Sequence, residues 1–292
     1  MTKVAVIGPG AIGGTLAAWL AEVPGNDVTL CARTPFERLV VEVPGGRTLE
    51  AMPRVLTEPS AGTPVDWVMT VTKTYDTEGA ARWFEKLVGP ATALAVVQNG
   101  VEHMDRFVGR LPPERILPVI VDIPAERSAP GRIRQRRDGT VTAPRGDLGT
   151  SFAALFAGTP LTLSLTDDFR SAAWRKLALN SAGVVNALTR KPAGVVRNEK
   201  VAALVRAIAA ETVAVGNAVG ARLPADLPDE VVARFLASAP DSVNSLLADH
   251  LADRPMELDA RNGVVVRLGA QHGVPTPLNA MAVAILEGQQ AL

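Results

Sequence analysis

A chain of 292 residues holds one large domain or two of medium size. Hydrophobic residues make up 47% and charged residues 21%, a globular mixture, and thirty basic residues balance thirty acidic ones, so no global field exists to hold nucleic acid or an anionic membrane. A lone cysteine, Cys31, precludes an intramolecular disulfide; with His103, His250 and His272 scattered along the chain, no metal is expected and a reducing cytoplasm is the natural setting.

The first twenty residues carry Lys3 and then a largely apolar stretch, as a secretory leader does. Gly8, Pro9, Gly10, Gly13 and Gly14 would break a short leader helix, and their spacing has a better explanation. No uninterrupted apolar run is expected to cross a bilayer. Residues 4–7 form a short buried strand; 12–23 have helical spacing and stop at Pro24-Gly25-Asn26; 28–31 are a second strand. A small β excursion is expected around Val55, followed by a core strand at 67–71 and a helix over 77–87 stopped by Gly89-Pro90. Further strands fall at 94–97, ending at Asn99-Gly100, and at 116–121. This alternation predicts a parallel sheet with helices on both faces. Residues 133–143 alternate polar and apolar around Asp138-Gly139, a hairpin signal, and 161–165 are a last strand. From Asp168 the texture changes to helices over 169–188, 201–219, 230–236, 256–272 and 277 to the C-terminus. The expected division is an N-terminal α/β domain, 1–166, and an all-α C-terminal domain, 167–292.

Gly8-Pro9-Gly10-Ala11-Ile12-Gly13 reads G-x-G-x-x-G between a buried strand and a helix, the context that gives this spacing meaning. Gly8 permits the tight turn, Gly10 lets backbone approach a pyrophosphate, and Gly13 lets the helix pack closely. Ala11 and Ile12 open the helix, whose first N–H groups and dipole face the anion. The N-terminal domain is therefore of Rossmann type. Where an NAD-binding fold places an acid after its second strand, this chain has Arg33, whose fork and charge suit a 2′-phosphate. The expected cofactor is NADP(H). Arg38 reads better as a surface arginine.

Lys73 and Asn99 each follow a core strand, at the carboxyl edge where ligands bind in open α/β sheets; taken singly, each also reads as an ordinary loop residue. Lys176 and Asn180 are four apart and share a helix face beside Leu177 and Ala178. A lysine on a partly desolvated face can donate a proton near neutrality, and it can equally be a boundary lysine reaching for water. Glu257 reads as a first-turn acid with Arg261 one turn on, and Ser245 as a cap or turn residue.

The ordered set G-P-G-A-I-G, arginine after strand two, V-T-K, Q-N-G-V, W-R-K-L-A-L-N, N-S-L-L-A-D, M-E-L-D-A-R-N-G and H-G-V-P-T-P-L-N resembles the ketopantoate reductase (2-dehydropantoate 2-reductase) family over nearly the whole chain. The resemblance implies NADPH-dependent reduction of 2-dehydropantoate to pantoate, an oxidoreductase step on the way to pantothenate and coenzyme A. It implies that Lys176 is the general acid and that Glu257 orients the substrate through its hydroxyl. It further implies that Lys73, Asn99, Asn180 and Ser245 bind substrate, that Lys73 and Asn99 also approach the cofactor, and that Gly8, Gly10, Ala11, Ile12, Gly13 and Arg33 carry NADPH. Family members are often homodimers. Departures bear on the substrate: Asn244-Ser245 stands where many members have two serines, and the asparagine after Asn180 is Asn186, too far along to be assigned to the site. A relative acting on another 2-keto acid is therefore an alternative. A 3-hydroxy-acid dehydrogenase shares the Lys-x-x-x-Asn helix, but Ala172 replaces its usual glycine and its serine-glycine-glycine loop is missing. A non-catalytic NADP sensor fits poorly with Lys73, Asn99, Lys176, Asn180 and Glu257 all retained.

Overall fold

The computed structural model describes residues 1–290. The chain forms two compact units, one of Met1–Gln98 with Glu102–Phe169, the other of Asn99–Val101 with the chain from Arg170 onward.

Thirteen strands lie in the first unit: β1 (Thr2–Ile7), β2 (Asn26–Cys31), β3 (Leu39–Glu42), β4 (Thr48–Ala51), β5 (Arg54–Leu56), β6 (Val65–Thr70), β7 (Val88–Val96), β8 (Ile116–Pro118), β9 (Ile120–Asp122), β10 (Ala125–Ala129), β11 (Arg132–Gln135), β12 (Thr140–Pro144) and β13 (Thr162–Thr166). Helices α1 (Ala11–Glu22), α2 (Thr77–Ala81), α3 (Phe84–Leu87) and α4 (Asp147–Ala154) accompany them. The main sheet runs β5-β2-β1-β6-β7-β8, parallel throughout. Chain order proceeds outward from β1 on one side, returns, and proceeds outward on the other, so the sheet has a switch point between β1 and β6. Alternate residues divide between two cores. Val4, Val6, Leu30 and Met69 pack on one face with Leu16 and Leu20 of α1. Ala5, Ile7, Val68 and Val96 pack on the other with Phe84, Leu87 and Phe107. Both faces are covered, which is why these strands read as continuous apolar runs.

Two smaller sheets, β10-β11-β3-β4 and β13-β12-β9, flank the main one. They correct the sequence reading in two places. The expected strand over 116–121 is two strands: β8 pairs with β7, and after Val119 the chain changes partner, β9 pairing antiparallel with β12. The expected hairpin at Asp138-Gly139 is a crossover between sheets, since β11 and β12 are not paired. Gly139 serves close approach there, because a Cβ on it would lie 2.5 Å from Ile123. The actual hairpin joins β10 to β11 through Pro130-Gly131. Gly131 has φ +71°, and a Cβ there would lie 2.4 Å from the Arg38 carbonyl oxygen. Within 77–87 the helix tightens at Trp83, whose N–H donates to Ala80, and separates into α2 and α3. The strands β3, β4 and β10 and the helix α4 had no expected counterpart.

The second unit is all-helical among the described residues: α5 (Phe169–Ala182, of which Phe169 belongs to the first unit), α6 (Val184–Thr189), α7 (Glu199–Ala218), α8 (Leu227–Ala237), α9 (Ser245–Leu251), α10 (Val264–His272) and α11 (Pro277–Gln290). Residues 291 and 292, at the end of the expected last helix, lie outside the described residues. Trp174, Leu177, Ile208, Leu246, Val264 and Leu286 share its core. The expected helix over 169–188 breaks at Gly183, where a Cβ would stand 2.9 Å from Asn244 Nδ2 and 3.3 Å from Arg261 Nη2. The expected helix over 256–272 begins instead with a wider π turn at Asp259–Gly263; such turns recur at functional sites. α9 was not expected from the sequence. α7 is the one described helix long and apolar enough to cross a bilayer. Its Val205, Ile208, Ala209 and Val215 are buried in the core, and the Glu211 carboxylate accepts the N–H groups of Leu278 and Asn279 at 2.9 and 3.0 Å, capping α11.

Candidate active site

In the first unit the glycine turn leaves β1 and enters α1. Gly8 donates its N–H to the Cys31 carbonyl of the adjacent strand and sits at φ +86°, where a Cβ would meet Thr72 at 2.9 Å. Gly10 donates to the Gly8 carbonyl at 2.7 Å and caps α1 with no side-chain hydrogen bond. Around the Cβ position of Gly10 the nearest of the tested protein atoms is Gly8 O, at 4.0 Å, so the backbone there is open to a ligand. Gly13 does the opposite: a Cβ on it would lie 2.3 Å from Gly8 O, so the helix can close on the turn only with glycine in place. Gly14 reads in the sequence only as a helix breaker; a Cβ on it would lie 2.1 Å from Ile133, so it seats α1 on β11. No acidic residue stands in the first turn of α1, which leaves the positive end of its dipole, at Ala11 and Ile12, without a counter-charge. This cradle fits a pyrophosphate.

Arg33 follows β2 one strand over and is exposed. Arg38, by contrast, donates to Glu50 at 3.3 Å. Lys73 follows β6 at the same carboxyl edge and is half-buried, its carbonyl accepting the Asp76 N–H. The Gln98 amide donates to the Thr72 carbonyl and hydroxyl, both at 3.2 Å, tying the ends of β6 and β7 together. Burial pushes the Cys31 thiol up to about 12, so this cysteine stays protonated and inert.

In the second unit the structure gathers side chains from distant segments. Asn99 donates from Nδ2 to Glu257 Oε2 at 2.9 Å, and Asn180 Nδ2 lies 3.5 Å from Asn99 Oδ1. Lys176, half-buried, is one turn before Asn180 on α5, whose Leu177 and Ala178 are buried in the core. Glu257 precedes the π turn instead of opening a helix, and it is only 5% exposed. A carboxylate so buried requires partners, and Asn99 is one. Asn244, and not Ser245, caps α9: its Oδ1 accepts the Leu247 N–H at 2.9 Å. Ser245 is exposed, and its Oγ receives Arg261 Nη1 at 3.4 Å. Arg261 Nη2 donates to the Asn180 carbonyl. Asn99, Asn180, Ser245 and Glu257 are thus brought together, with Arg261, which sequence reasoning had treated only as a helix partner of Glu257. Asn186 is structural: buried, it accepts from Asn244 at 3.0 Å and donates to the Lys191 carbonyl at 2.9 Å.

A parallel sheet with a glycine-lined anion cradle at its switch point, followed by a helical unit that carries a lysine, asparagines and a buried carboxylate, defines a nicotinamide-dependent oxidoreductase. The comparisons narrow the class. The family model "Ketopantoate reductase PanE/ApbA" matches residues 4–148 and its C-terminal counterpart matches 168–290. The chain belongs to the ketopantoate reductase family, whose cofactor is NADP(H). It is 58% identical to the 2-dehydropantoate 2-reductase of Caulobacter vibrioides, with 98% of each chain covered. It is 37% identical to the 2-dehydropantoate 2-reductase of Mycobacterium tuberculosis, over 98% of this chain and 97% of that one. Among solved structures, a PanE/ApbA family ketopantoate reductase from Ralstonia eutropha superimposes with a TM-score of 0.89 at 30% identity, over 99% of this chain and all of the other.

Proposed function

We propose that this protein reduces 2-dehydropantoate to pantoate with NADPH. The observation that carries the reading is the joining of Asn99, Asn180 and Glu257 one helical turn from Lys176, in a chain 58% identical end to end to a 2-dehydropantoate 2-reductase. The cradle of Gly8, Gly10, Ala11, Ile12 and Gly13 holds the pyrophosphate, Arg33 the 2′-phosphate, and Lys73 and Asn99 approach the cofactor nearer its reacting end. Bound NADPH supplies the hydride that adds to the keto carbon. Lys176 first polarises the keto oxygen by a charged hydrogen bond and then gives its Nζ proton to that oxygen as the alkoxide forms. Glu257, held by the Asn99 amide, accepts a hydrogen bond from the substrate hydroxyl. Asn180 and Ser245 bind the remaining polar groups of the substrate. We further propose that the enzyme works as a homodimer, which light scattering on the purified protein checks. The deciding assay is NADPH oxidation with 2-dehydropantoate beside a panel of other 2-oxo acids. Efficient turnover confined to 2-dehydropantoate is expected. Turnover of a different 2-oxo acid with none of 2-dehydropantoate overturns the substrate assignment.

A further inference from the structure

Arg261 is 2% exposed, and burial lowers its guanidinium from its usual range to about 10, opposed by the charges of Glu257 and Asp249. Each acid also has another partner: Glu257 accepts from Asn99, and Asp249 pairs with Arg254 at 3.1 Å. Arg261 itself donates to two neutral oxygens, the Asn180 carbonyl and the Ser245 hydroxyl, while its Nε is buried with no partner. A cation buried on neutral acceptors is costly and leaves positive potential at the nearest opening. That opening is Ser245, which is exposed although the arginine behind it is not. A guanidinium can only donate. Ser245 Oγ must therefore accept from Arg261, and its own proton is left to donate outward.

We infer that Arg261 is a positioning and specificity residue: through Ser245 it makes the substrate pocket select a carboxylate. The buried charge fixes the direction of the Ser245 hydroxyl and strengthens it as a donor to an anionic ligand. The same guanidinium holds the Asn180 end of α5, so the anion and the face that carries Lys176 are aligned by one side chain. The inference rests on the reading of this unit as a 2-oxo acid site, not on which 2-oxo acid it takes.

The test compares an anion with its neutral counterpart. KM and kcat are measured for 2-dehydropantoate and for its uncharged carboxamide, which keeps the hydroxyl, in wild type, Arg261→Met and Arg261→Lys. A charge-assisted contact predicts that Arg261→Met raises KM for the anion about tenfold to a hundredfold. The KM for the carboxamide and kcat for both should move less than about threefold, and Arg261→Lys should recover most of the loss. If Arg261→Met does not fold, Arg261→Gln, which keeps amide donors but no charge, must show the same anion-selective loss. Equal losses for anion and carboxamide, or no loss, overturn the inference. Should wild type act on another 2-oxo acid instead, the comparison is made with that acid and its methyl ester; the substrate assignment then fails while the role of Arg261 is still decided. A wild-type enzyme that does not discriminate an anion from its neutral form overturns it outright.

Discussion

The two units carry their chemistry in different materials. In the first, the groups proposed to face the ligand are mostly backbone: Gly8 at a positive φ, Gly10 with space where a side chain would stand, and the uncapped end of α1. In the second they are side chains, delivered by segments far apart in the chain. Asn99 and Glu257 are 158 residues apart, and Asn180 and Arg261 are 81 apart. A backbone cradle is written in a few consecutive residues: Gly13 is required by Gly8 within the turn, although Gly8 answers also to Thr72 on the neighbouring strand's end. A side-chain cluster exists only after the helices have packed. The first tolerates a wide range of neighbouring sequence; the second depends on the core of Trp174, Leu177, Leu246 and Val264 to bring its members into register.

The largest effect expected separates these two materials. Lys176→Ala should lower kcat by about a hundredfold to ten-thousandfold, the usual contribution of a positioned general acid. NADPH affinity, followed by cofactor fluorescence, should change less than about twofold, since the glycine cradle is untouched. Unchanged kcat in the variant would remove Lys176 from the chemistry. A matching loss of NADPH affinity would show that the two materials are not separable as described.

This difference also explains what could be read from sequence. The glycine turn, the strand periodicity and the alternation of strand and helix are local, so the parallel sheet and the dinucleotide cradle were legible in residues 4–14 and the apolar runs after them. Gly14 was missed because its constraint comes from Ile133, more than a hundred residues on. Asp138-Gly139 misled for a related reason: the dipeptide marks a turn, but its glycine answers to Ile123 and not to a hairpin. In the helical unit, Lys176 and Asn180 showed a shared face by their spacing, whereas their link to Glu257 came only from a family resemblance. The π turn and the buried Arg261 gave no periodic signal, since a single wider turn looks like ordinary helix over a short window. Ser245 read as a cap because its neighbour Asn244, which does cap, is the same kind of residue.

A side chain buried in the first unit sharpens the comparison by its response to acid. His103 is 2% exposed; its Nε2 lies 2.9 Å from the Gln98 carbonyl and its Nδ1 has no partner. The ring therefore donates from Nε2 and is neutral. Burial, helped by the charge of Arg106 and opposed by the Gln98 carbonyl, lowers it to about 4 from 6.5. Between those values the unfolded chain binds a proton that the folded chain refuses, so stability must fall as pH drops from 6.5 toward 4. The difference of about 2.5 units corresponds to roughly 3 kcal/mol over that window. Urea unfolding of His103→Gln, whose amide can still donate to the Gln98 carbonyl, should show a shallower decline over the same range. Parallel pH profiles for the two proteins would assign the acid sensitivity to other groups.

The smallest effect bears on Arg33, the side chain of the first unit proposed to choose between the two nucleotides. Arg33 is exposed at the end of β2, so its attraction for a 2′-phosphate is partly screened by water and salt. Arg33→Ala should therefore weaken NADPH by only about tenfold to fiftyfold, within the range of a charged hydrogen bond. NADH affinity should hardly move, because the glycine cradle serves both nucleotides alike. The gap between the two cofactors should narrow in the wild type as ionic strength rises, and it should be small at every salt concentration in the variant. Equal losses for NADPH and NADH would mean that Arg33 shapes the turn rather than reading the phosphate. The backbone would then carry the binding, and the choice of cofactor would lie with Lys73 or another residue at the carboxyl edge of the sheet.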